Sequence, residues 1–167
     1  MTRAEAAGVV IARVIAREGG IADVGDGAGV TRYGQTPTWL STFDLPVPTS
    51  PASAEANYRT WLVRTQLMGV CDQPDSLADM VVDFAVHSGH QVAIRTLQKA
   101  LGVDVDGVIG PETQAAIDGC DRAQIARHVI AGRLRFVGRL ITDSPWSHGR
   151  FAAGWCARLA GQIEALR

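Results

Sequence analysis

The sequence is poor in cysteine. Cys71, Cys120 and Cys156 are its only three, and no two form a C-x-x-C pair. An odd, scattered set excludes a complete disulfide framework and offers no zinc cage or redox motif, so these read as buried or idle thiols. Long apolar runs are also missing: none approaches the roughly 18 residues that a membrane-spanning helix needs. The first turns place Arg3, Glu5, Arg13 and Arg17 among short apolar runs, without the unbroken apolar stretch of a signal peptide. The expectation is a chain made in the cytoplasm without an export signal. Neither sign of charge prevails, with 16 basic against 17 acidic residues and a net charge of -1. A globally cationic nucleic-acid binder is therefore not expected.

What is present is a chain of 167 residues, 47% of them hydrophobic. That is one domain's worth, long enough to bury ~70% of its unfolded surface. Its charge is uneven. Residues 1–118 hold 8 basic and 14 acidic side chains, whereas residues 119–167 hold 8 arginines and 3 acids. An acidic body with a basic end suggests an anionic partner for the C-terminal part, and a solvated helix face is the plainer alternative.

Helical periodicity dominates. Ala7, Val10, Ile11, Val14 and Ile15 predict a helix over 4–18, ended by Gly19-Gly20. Residues 19–36 have no helical period and predict a glycine-rich loop with short strands around Val30 to Tyr33. Pro46, Pro48 and Pro51 mark a loop over 44–52, and Ser50-Pro51 a helix start. Further helices are expected over 52–69, 75–88, 90–101, 111–118, 121–142 and 147–166. The fold class is thus mainly α, with a Gly-rich loop or short β-hairpin after the first helix.

Glu18 is the first residue of chemical interest. It closes an apolar helix, where the helix dipole and partial burial both disfavour an ionised carboxylate and push its pKa upward. A carboxyl that keeps its proton near neutral pH is a candidate general acid. Gly19 and Gly20 leave room for a bulky substrate. Asp23 and Asp26 follow in a polar loop, where a carboxylate stays ionised. Two carboxyls in contrasting environments are what glycosidic bond cleavage uses. A glutamate before Gly-Gly is also a common plain helix end, so spacing alone leaves the question open.

Glu18-Gly19-Gly20, Asp26-Gly27-Ala28-Gly29 and Thr31-Arg32-Tyr33-Gly34 together resemble the N-terminal signature of glycoside hydrolase family 108, the N-acetylmuramidases often found as phage endolysins. Downstream, Phe84 to Gly89, Leu97 to Leu101 and Asp106 to Thr113 are similar to the peptidoglycan-binding region that accompanies that catalytic part. Phe151-Ala152-Ala153-Gly154-Trp155 with Arg158 resembles its closing helix. The resemblance implies one compact lysozyme-like domain over 1–167, with a catalytic part over 1–80 and a peptidoglycan-binding-like helical part over 81–167. It implies cleavage of the β-1,4 bond between N-acetylmuramic acid and N-acetylglucosamine, with Glu18 as acid and Asp26 and Thr31 holding or activating water. No cofactor and no metal are implied. Ile21 stands where the family usually has an aromatic residue, His87 where it usually has asparagine, and Gln35-Thr36 where an Ile-Ser or Ile-Thr pair is common.

Tyr33, His87 and Trp39 are the candidate substrate-binding residues. Trp146 also sits near a loop, whereas Trp61 and Trp155 read as core. His87 and His90 form an H-x-x-H without the intervening glutamate of a zinc protease. Asp104-x-Asp106-Gly107 is similar to part of a calcium loop but lacks the remaining ligands; a turn before a helix start explains it more simply. The arginines of the 121–142 helix spread over a wide face. Expected partners are peptidoglycan glycan strands and, through the Arg-rich C-terminal part, anionic outer-membrane or wall phosphate. No nucleic acid is expected, and the protein reads as a monomer. An enzyme of this kind would reach the wall after release through a holin pore or from outside. Two rivals are a lytic transglycosylase, which uses one glutamate and no water, and a non-catalytic wall-binding protein.

Overall fold

Thr2 starts the first helix with a capping box. Its side chain accepts from the Glu5 amide while the Glu5 carboxylate accepts from the Thr2 amide. The helix, α1, runs Arg3–Glu18. In the computed structural model, which describes residues 1–22 and 29–166, the chain forms two compact units, Met1–Pro74 and Asp75–Arg167.

The first unit is built on α1 and α3 (Pro51–Arg64). Ala6, Ala7, Val10, Ile11 and Val14 of α1 are buried, as are Ala54, Tyr58, Trp61 and Leu62 of α3. The two helices meet closely at Gly8, where a Cβ would lie 2.5 Å from the Arg59 guanidinium. Arg59 reaches across to donate to the Ala4 carbonyl at 2.7 Å. Between these helices lie β1 (Ile21–Ala22), β2 (Thr31–Arg32) and α2 (Pro37–Thr42). The last was not expected. Its signal is local: Thr36 accepts from the Trp39 amide, and Pro37 occupies the first helical turn.

The expected helix over 52–69 stops earlier. Thr65 Oγ1 donates back to the Trp61 carbonyl, Gln66 turns left-handed at φ 63°, and a 3-10 turn covers Leu67–Val70. The apolar stripe continues through Leu67 and Val70, but on a different backbone.

In the second unit α4 (Ser76–Ser88) is the central element, packed by α5 (His90–Leu101) and α7 (Arg122–Asp143). Leu77, Ala78 and every residue from Met80 to Ala85 are buried, so α4 is enclosed on nearly all sides. α6 (Pro111–Gly119) adds Ile117, and Gly110-Pro111 opens it as expected. The segment expected as one helix over 147–166 is divided into α8 (Pro145–His148), a 3-10 turn over Gly149–Phe151 and α9 (Ala152–Glu164).

The Asp106–Thr113 segment is a turn held by one buried side chain. Gln98 Nε2 donates to Asp106 Oδ1 at 2.6 Å and to the Val108 carbonyl at 3.0 Å, while its Oε1 accepts from the Gly107 amide at 2.8 Å. Gly107 has φ +83°, and a Cβ there would sit 2.3 Å from Gln91 Oε1. The Asp-Gly motif is therefore accounted for by packing and hydrogen bonding. No described helix is long and apolar enough to cross a membrane. All three cysteines are free thiols: Cys71 buried, Cys120 half-buried and Cys156 exposed.

Candidate active site

α1 ends with Gly19, which donates its amide to the Ile15 carbonyl, and the backbone enters the hairpin. Ile21 pairs with Arg32 and Ala22 with Thr31, antiparallel. Arg32 and Gln35 then exchange both backbone hydrogen bonds, at 3.1 and 2.9 Å. The two residues between them, Tyr33 and Gly34, have φ of 52° and 79°, the positive pair that a two-residue primed turn requires. The Tyr33 amide also donates to the Gly20 carbonyl at 2.8 Å, tying the turn to the end of α1.

This turn lies against Glu18. A Cβ built on Gly34 would come within 2.6 Å of Glu18 Cγ and 2.7 Å of Tyr58 Oη. Tyr58, buried on α3, donates its hydroxyl to the Tyr33 carbonyl at 2.8 Å. The half-buried Glu18, the Tyr33-Gly34 backbone and the Tyr58 hydroxyl thus converge on one spot. Gln35, completely buried, anchors the turn from behind: its Nε2 donates to the Ala54 carbonyl and its Oε1 accepts from Asn57 Nδ2 at 2.7 Å. Asn57 also donates to the Pro46 carbonyl. Trp39 of α2 packs its ring 5.6 Å from Tyr58, 5.7 Å from Trp61 and 5.4 Å from Phe43, an aromatic cluster that includes the tyrosine of the site.

Gly34→Ala is expected to destabilise the first unit by about 1–3 kcal/mol, through strain at positive φ and forced displacement of the Glu18 stem. Thermal denaturation measures it; a wild-type melting temperature would show that the turn and Glu18 do not press on one another.

Of the residues the sequence singled out, Glu18, Thr31, Tyr33 and Trp39 all belong to the first unit. Thr31 sits in β2, half-buried. Tyr33 contributes its backbone to the site through the bonds above. Asp23 and Asp26 lie outside the described residues. His87 belongs to the second unit. Sequence reasoning missed Gly34, Gln35, Asn57 and Tyr58 as supports of the turn. The positive-φ demand of a Tyr-Gly turn was legible. The reach of Gln35 to Asn57, 22 positions away, was not.

His87 lies beside a buried charge cluster. Asp83, fully buried, accepts from Arg133 at 2.6 Å, from Arg158 at 2.9 and 2.7 Å, and from Gln162 at 2.8 Å. The cluster joins α4, α7 and α9. Burial alone would raise the Asp83 pKa; the hydrogen bonds and charges of Arg158 and Arg133 outweigh it and hold the carboxyl at about 2. His87 is also pushed below its usual value, to about 4, by burial first and then by the two arginines. Its ring meets Trp155 edge-on at 5.7 Å. Trp155, expected as core, is only half-buried and also stacks on Phe151; the broken start of the last helix leaves it at the surface. Trp146 is 97% exposed.

The histidine sets a pH dependence. Between about 4 and the ordinary histidine value of 6.5, the unfolded chain binds a proton at His87 that the folded chain refuses. Stability therefore rises with pH across that window and flattens above it. His87→Phe should reduce the slope between pH 4 and 6.5 in urea titrations, and an unchanged slope would remove His87 as its source.

A family model described as "Predicted Peptidoglycan domain" matches residues 92–160. Among solved structures the chain is similar to Brucella abortus SagA, with 31% sequence identity and a TM-score of 0.70, covering 94% of this chain and 91% of that one. No curated protein sequence matches.

Proposed function

Because the chain belongs to the family of Brucella abortus SagA and carries a predicted peptidoglycan domain over residues 92–160, we propose that it is a peptidoglycan hydrolase. The bond cleaved is the β-1,4 linkage between N-acetylmuramic acid and N-acetylglucosamine, as in glycoside hydrolase family 108. Glu18 is the general acid that protonates the leaving glycosidic oxygen. Asp26 and Thr31 hold the water or steady the oxocarbenium-like sugar. Tyr33 and Trp39 flank the sugar chain. The observation that carries this reading is the convergence of Glu18, the Tyr33-Gly34 turn and the Tyr58 hydroxyl at the end of α1. A half-buried carboxyl whose stem lies against a turn pinned by a buried tyrosine is restricted in position, which favours proton transfer to a bound sugar linkage.

Mass spectrometry of muropeptides released from purified sacculi tests the reaction. Hydrolysis leaves reducing N-acetylmuramic acid ends. Dominant 1,6-anhydro ends would replace the proposal with a lytic transglycosylase, and no release at all would leave a wall-binding protein.

A further inference from the structure

The second unit holds a cavity of about 420 Å³ between α5 and α7, whose lining includes Thr96, Lys99, His128, Gly132, Arg135 and Arg139. Those α7 positions recur at four, seven and eleven residues after His128, one face of a helix. Thr96 and Lys99 of α5 lie three apart on the facing surface. The crossing is close because Gly132 has no side chain: a Cβ there would meet Thr96 Cγ2 at 2.5 Å. Lys99, Arg135 and Arg139 bring three permanent cations to the cavity, and no carboxylate lines it.

Five other arginines along this part of the chain are committed elsewhere, whereas Arg127, also on α7, is exposed and lies outside the cavity lining. Arg122 pairs with Asp75, and Arg133 and Arg158 with Asp83. Arg95 donates to the Val105 carbonyl, and Arg150 lies over the Phe151 ring. Lys99, Arg135 and Arg139 have no ion pair or hydrogen bond among the described residues. The wide arginine face expected from the sequence thus resolves into Arg122 and Arg133 bound to carboxylates, an exposed Arg127 away from the cavity, and Arg135 and Arg139 bordering a concavity. A cluster of like charges in a groove is unfavourable to the fold itself and focuses a positive field outward.

We propose that this groove binds the stem peptides of peptidoglycan through their carboxylates. This rests on the peptidoglycan reading above. Within that polymer the glycan hydroxyls and acetamides are neutral, and negative charge resides on the peptides, at the free α-carboxyl groups and the peptide ends. Three cations, with the His128 ring and the Thr96 hydroxyl beside them, match carboxylates spaced along a short peptide. The cavity volume suits a peptide fragment.

The probe is the soluble tetrapeptide L-Ala-γ-D-Glu-meso-diaminopimelate-D-Ala, titrated into the full chain by calorimetry and by amide chemical-shift mapping. Expected are shifts concentrated at 96–100 and 128–139, affinity that weakens with salt, and at least a tenfold loss in Arg135→Ala/Arg139→Ala. Arg135→Lys/Arg139→Lys should retain more affinity than the alanine pair. Unchanged affinity in the alanine pair overturns the proposal. So does preference for inorganic polyphosphate over the tetrapeptide, which would make the groove a phosphate site. Both variants alter exposed side chains, and circular dichroism verifies their fold. Failure here leaves the Glu18 chemistry standing, because that is read separately from muropeptide release; failure of muropeptide release with tetrapeptide binding intact removes the hydrolase and keeps the groove.

Discussion

Glu18→Gln is expected to lower the rate of turbidity loss from purified peptidoglycan by roughly 10²–10⁴-fold, the range that positioned acid catalysis supplies. The substitution nearly preserves shape. Glutamine keeps the side-chain length that packs Cγ and Cδ against Gly34, so the hairpin and the Tyr58 bond to the Tyr33 carbonyl have no reason to move. What disappears is the transferable proton. Wild-type and variant protein should therefore have similar far-ultraviolet spectra, similar melting temperatures and similar retention on sacculi. Clearing by the variant at near the wild-type rate would remove Glu18 from the chemistry and favour a non-catalytic wall binder. Glu18→Ala is the poorer test, because it also empties the space against the turn.

Asp83→Ala is expected to destabilise the second unit by about 3–5 kcal/mol, the largest stability effect in the chain. Arg133 is 1% exposed and Arg158 17%, so removing their carboxylate leaves two guanidiniums with too few acceptors in a poorly solvated place. Gln162 keeps one bond to Arg133, at 2.8 Å, and cannot neutralise it. Asp83→Asn should cost less than alanine because it retains an acceptor oxygen. Urea denaturation followed by tryptophan fluorescence reads the effect, since Trp155 packs on His87 beside the cluster. A midpoint shift under 0.5 kcal/mol would mean that water solvates these arginines. The acid limb follows from the same contacts. The contribution of Asp83 is full above its ordinary value of 3.8 and is lost as pH falls through about 2.

The two charged networks differ in what they do. Asp83, Arg133 and Arg158 neutralise one another inside the unit and fix how α4, α7 and α9 meet. Lys99, Arg135 and Arg139 line the groove without a counter-charge among the described residues. From composition alone Arg133 and Arg158 are indistinguishable from Arg135 and Arg139, all arginines of one basic segment. Arg133 and Arg135 are two positions apart, yet one lies under the helix and the other beside the groove, because successive residues of a helix turn by 100°.

Local chemistry was enough to read off five of the helices. Apolar residues at three- and four-residue steps, Gly110-Pro111 and the glycines after Glu18 placed α1, α4, α5, α6 and α7 within a residue or two, and Ser50-Pro51 placed the start of α3 but not its end, because each signal acts over one turn of backbone. The candidate acid at the end of α1 and the hairpin after it were legible for the same reason. The supports of that acid, and the partition of the arginines, depend on residues tens of positions apart meeting in space: Gln35 with Asn57, Gly34 with Tyr58, Asp83 with Arg158. Packing decided those pairs, since only the assembled core determines which polar side chains are buried and must find partners, and which remain outside to meet a ligand.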